Sequence, residues 1–110
     1  MLETDYKFGE AFTVADQVVN SDEHVEFREI LKNDNGGVSL LSFSAGQDLA
    51  KHLAPAELMV YVLDGEIVFT VIDKPVHIHR GEALLVGDGV PHSVHAVTDA
   101  KVMLVKIKHD

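Results

Sequence analysis

Two histidines forty residues apart, His52 and His92, are the side chains best placed to do chemistry in this chain. Gly46-Gln-Asp-Leu-Ala-Lys-His52 opens a stretch that closes at Asp64-Gly65, and Gly81-Glu-Ala-Leu-Leu-Val-Gly87-Asp-Gly89-Val-Pro91 leads into His92. An imidazole on each of two short strands, just after glycine turns, predicts two rings facing one cavity. There they can donate and accept hydrogen bonds, titrate near neutral pH or ligate a metal. The absence of cysteine excludes thiolate ligands, thiol nucleophiles and disulfides, and fits a reducing cytoplasm. Ser39, Ser42, Ser44 and Ser93 lack the strained-turn context of G-x-S-x-G, so no nucleophile arrangement emerges. No glycine-rich phosphate loop supports nucleotide binding. A carboxylate pair for glycoside chemistry cannot be picked out by spacing, because its members would come from distant strands.

The other imidazoles read differently. His77 and His79 share a strand face by their i, i+2 spacing, but that face is polar and no third donor stands beside them. They are read as surface residues, as are His24 and His109, which have no context, and Tyr61 and Glu66 as ordinary sheet surface.

Short apolar segments must position the histidines. From about residue 24 onward, runs rich in Val, Ile, Leu and Phe are bounded by Asn33-Asp-Asn-Gly-Gly37, Asp64-Gly65, Asp73-Lys-Pro75, Gly87-Asp-Gly89 and Thr98-Asp99. Many short strands separated by turn signals indicate an all-β sandwich or barrel. No window carries a helical stripe, and residues 11–20 read equally as a strand or a short turn of helix. Asp64-Gly65 is read as a two-residue hairpin turn. That pairing sets Val62 opposite Ile67, Val60 opposite Phe69 and Leu58 opposite Val71 on an inward face. Leu63 with Glu66, Tyr61 with Val68 and Met59 with Thr70 fall on the outer one. Val76 and Ile78 are expected inward. Val94 and Ala96 share the face of His92, with Ser93, His95 and Val97 opposite.

These residues resemble the cupin superfamily, whose motifs read G-x5-H-x-H-x3,4-E-x6-G and G-x5-P-x-G-x2-H-x3-N. Gly46, His52 and Gly65 match the first in spacing; Gly81, Gly89 and His92 match the second. The resemblance covers about residues 38–107 and is that of a small single-domain bacterial cupin of the conserved-barrel type. It implies a double-stranded β-helix, the RmlC-like jelly-roll barrel. In metal-binding members three histidines and a glutamate form the site. The second histidine position is Ala54 here, the glutamate position Leu58, the motif-two proline Gly87 and its asparagine Ala96. Two of four ligand positions survive. Glu57, adjacent to the lost carboxylate, would supply a third donor if a bulge turned it inward; regular pleating sends it outward.

At 110 residues the chain is read as one domain, residues 1–36 giving N-terminal strands and 38–107 the barrel. Eighteen acidic residues against nine basic ones, a net charge of −9, argue against nucleic acid and anionic membranes as partners. No run approaches a membrane span, and the amino terminus does not read as a signal peptide. The leading expectation is a stand-alone cytoplasmic barrel binding a small molecule between His52, His92, Leu58, Val60, Phe69, Val94 and Ala96. The alternative is a dioxygenase or isomerase using a weakly held Fe, Mn, Ni or Zn on His52, His92 and Glu57; a sensing module working through a partner is a third class. The resemblance also implies a homodimer, with Met59, Tyr61 and Val68 as candidate buried residues on the outer face.

Overall fold

The computed structural model describes residues 1–108, so His109 lies outside the described residues. The strands are β1 (Glu26–Asn33), β2 (Gly36–Phe43), β3 (Asp48–His52), β4 (Ala56–Asp64), β5 (Glu66–Val71), β6 (Lys74–His79), β7 (Ala83–Val86), β8 (His92–Ala96) and β9 (Ala100–Lys108). They form two antiparallel sheets, of order β1-β2-β9-β4-β7 and β3-β8-β5-β6. This is the expected all-β jelly-roll architecture. Period-2 alternation on strands such as β4, β5 and β8 creates it, because each has one greasy face and the two sheets close those faces on each other. Val60, Val62, Ile67 and Phe69 are fully buried at the centre, each side chain contributing about 1.5–3 kcal/mol relative to exposure.

The Asp64-Gly65 hairpin does not form. β4 pairs with β7 and β9, β5 pairs with β6 and β8, and the chain crosses from one sheet to the other at this point. A type I′ turn needs positive φ at both central residues; Gly65 has φ +80°, but Asp64 is not in that region. Gly65 instead permits a close approach: a Cβ there would lie 2.1 Å from the Asp99 carbonyl oxygen. The predicted inward face survives the change of partner, since Leu58, Val60, Val62, Ile67 and Phe69 are all buried and Val71 is partly buried. Facing depends on strand period alone, whereas pairing depends on the turn. Met59 and Tyr61 therefore lie on the outside of one sheet and Val68 on the outside of the other, so the three do not share a surface.

A two-residue hairpin turn with positive φ at both central residues is at Ile72-Asp73, φ 45° and 63°, closed by the Val71–Lys74 pair. Residues 11–20 contain a short 3-10 turn, Val14–Gln17. The leading segment folds back over its own five-stranded sheet. Glu3 bridges Lys32, the Lys101 Nζ donates to the Ala15 carbonyl, and Val18 packs with Ile30 and Leu40. Among the described residues no helix is long and apolar enough to cross a membrane.

Candidate functional site

His52 and His92 face each other directly. They are register partners in the β3–β8 pairing, their ring centroids 4.3 Å apart and edge-to-face. A bulge makes this possible. Leu49 pairs with Val94 and His52 with His92, so β3 spends three residues where β8 spends two. In a regular strand residues three apart point to opposite faces. The extra residue restores the phase, and Leu49 and His52 both line the same cavity. On β8 no such correction is needed: His92, Val94 and Ala96 are buried, while His95 is exposed, as period-2 spacing predicts.

Both rings are tethered alike. The Nδ1 of His52 lies 2.9 Å from the Ala50 carbonyl oxygen and that of His92 2.9 Å from the Val90 carbonyl oxygen. A carbonyl only accepts, so each Nδ1 carries the proton and, in a neutral ring, Nε2 is left as the acceptor. His92 is 4% exposed and stacks on Phe69 at 5.3 Å. Burial pushes its pKa below the ordinary imidazole value; the bond to Val90 opposes this, and the neighbouring His52 adds to it.

The cavity between the sheets has a volume of about 260 Å³. Leu58, Val60, Phe69 and Val94 line it as expected; Ala96 is buried in the core but is not part of the wall. Ala54 and Leu58, at the two lost ligand positions, both line it. Sequence reasoning missed Leu41, Phe43 and Leu104, and above all Lys106. Val102, Leu104 and Lys106 continue one alternating face of β9, which pairing with Leu58 and Gly37 turns inward.

Glu57 does not join the histidines. It sits on the exposed outer face of β4, bordering a surface groove with Met59, Leu85, Val105 and Ile107. No bulge re-aims it, because β4 pairs regularly from Ala56 to Val62. A divalent metal wants three or more protein donors. Among the described residues no group of three His, Cys, Asp or Glu side chains could hold one. Two imidazoles beside Leu58 and Lys106 do not fit a resident divalent ion.

The other described histidines, His24, His77, His79 and His95, form surface pairs. His77 Nδ1 and His79 Nε2 lie 3.2 and 3.6 Å from one Glu66 carboxylate oxygen, and His79 Nδ1 lies 3.0 Å from Glu82. The His79 backbone N–H and ring hold the Glu82 carboxyl below its ordinary pKa. His95 pairs with Asp48 and His24 with Glu26, all at the surface.

The profile of the cupin domain family matches residues 39–108. No curated protein matches the sequence. Among solved structures, a conserved protein of unknown function from Streptococcus pyogenes is 20% identical, with a TM-score of 0.89 over 97% of this chain and 94% of that one. An RmlC-like cupin protein from Desulfovibrio desulfuricans is 28% identical, with a TM-score of 0.80 over 89% and 95%. A predicted oxalate decarboxylase from Thermotoga maritima is 24% identical, with a TM-score of 0.72 over 77% and 81%.

Proposed function

The chain belongs to the cupin domain family, and on that premise we propose that it is a stand-alone barrel that binds a small molecule in the cavity beneath His52 and His92. The observation that carries this reading is the meeting of the two rings at the wall of a largely apolar cavity of about 260 Å³. That volume holds roughly nine water-sized groups, enough for a compact ring with small substituents. Apolar walls supply affinity, and the two Nε2 acceptors supply orientation for a ligand hydroxyl or N–H. The metal-dependent alternative needs a third donor, and Glu57 on the outer face of β4 is poorly placed to give one.

Phenol is a suitable probe, combining an apolar ring with one hydroxyl. An NMR titration is expected to move the methyl resonances of Leu58, Val60 and Val94 together with the ring protons of His92. Shifts confined to the outer surface would reject the cavity. Metal analysis of protein purified without chelator tests the alternative: stoichiometric metal that disappears in His52→Ala would favour it.

The same reading includes a homodimer. Leu31, Val38, Val105, Met59 and Leu85 are successive register partners across all five strands, and they form an apolar row on the outer face. Leu85 is 76% exposed, which makes a second copy of this sheet a fitting cover. Light scattering is expected to give twice the chain mass, and Leu85→Lys to reduce it.

A further inference from the structure

Resting on the cavity reading above, we propose that the ligand is a compact apolar monocarboxylic acid with a hydrogen-bond donor at its far end. Its carboxylate pairs with Lys106, and its donor is accepted by the His52–His92 pair.

Lys106 is held where this requires. It is the register partner of Leu58 on one side and of Gly37 on the other, and opposite residues in an antiparallel ladder share a face. Lys106 continues the inward stripe of Val102 and Leu104 and is itself exposed, as befits a lysine whose stem covers apolar wall while its charge stays in water. Lys106 also lines an adjoining hollow of about 200 Å³ under β1 and β2. That hollow contains Lys32, Lys108 and one carboxylate, Glu29, which already lies 3.7 Å from Lys32. Among the described residues, no carboxylate lines the main cavity. A chain of net charge −9 thus keeps a locally cationic entrance to an apolar chamber.

The polarity fixes the ligand's orientation. Imidazoles that present Nε2 as an acceptor attract a hydroxyl or N–H and turn a carboxylate away, so the acid end belongs at Lys106. A single negative charge suits one ammonium, whereas the field of the whole chain opposes a multiply charged anion. A lysine directly across from the position of a lost carboxylate also reverses the sign of charge that a divalent cation would need.

The test compares 4-hydroxybenzoate with its neutral amide, 4-hydroxybenzamide, by calorimetric titration of the wild type, Lys106→Met and Lys106→Arg. The wild type is expected to prefer the acid roughly five- to tenfold, the range for a partly solvated charge pair, with the preference shrinking at high ionic strength. Lys106→Met should bring acid and amide to equal affinity, and Lys106→Arg should retain the preference for the acid. Amide binding as tight as acid binding, or an acid preference that survives Lys106→Met, overturns the charge assignment and leaves the cavity reading standing. If neither probe binds, the cavity reading falls and this proposal with it.

Discussion

His52 reaches His92 because β3 contains one residue more than β8 between the Leu49–Val94 pair and the histidine pair. Deleting one residue from a strand ordinarily inverts every side chain beyond it. Here deletion of Lys51 should do the opposite: a regular ladder would keep the histidine opposite His92. The ring-to-ring nuclear Overhauser effect between the two histidines is expected to persist in the deletion variant. Its loss, in a chain that still folds, would show that the bulge does not set the phase.

His92 makes stability depend on pH in a defined direction. Its folded-state pKa is depressed, chiefly by burial, below the ordinary value of 6.5. Above that value the ring is neutral in both states and carries no penalty. As pH falls through 6.5 the unfolded chain takes up the proton first, so stability drops until the folded ring also titrates. The urea midpoint of the wild type should therefore fall on acidification more steeply than that of His92→Phe. A ring-proton titration of His92 centred at or above 6.5 would contradict this.

The crossing at Gly65 tolerates no side chain. Gly65→Ala places a methyl 2.1 Å from the Asp99 carbonyl oxygen, at φ +80°. The left-handed conformation alone costs about 1–2 kcal/mol, and the clash adds to it. Thermal unfolding is expected to show a loss of more than about 2 kcal/mol; an unchanged midpoint would mean that the chain crosses between sheets by another path.

The turn at Ile72-Asp73 is the converse case, because a β-branched residue occupies the left-handed region at φ 45°. Replacing the pair with Asn-Gly suits a type I′ turn. A gain of about 1 kcal/mol in chemical denaturation is expected, less than the full strain because glycine also loosens the unfolded chain. Destabilisation would contradict the assignment of the turn.

These two turns show what the sequence could reveal. The inward faces were legible, because alternation in Leu58-Met-Val60-Tyr-Val62 and Ile67-Val-Phe69 depends only on strand period. Strand partners were not, because Asp64-Gly65 carries the residues of a hairpin turn and serves as a sheet crossing, while Ile72-Asp73 carries no such signal and makes the hairpin. At the site, glycine spacing pointed to His52 and His92. The bulge that turns His52 inward has no residue signature, and Lys106 became visible only once β9 lay between β2 and β4.

Whether the two histidines serve one ligand chamber can be seen in a crystal structure grown with phenol. The predicted result is a ring seated among Leu58, Val60, Phe69 and Val94, its hydroxyl in hydrogen-bond reach of Nε2 of His52 or His92. A metal ion coordinated by both imidazoles, or a chamber that excludes phenol while the molecule binds elsewhere, would contradict it.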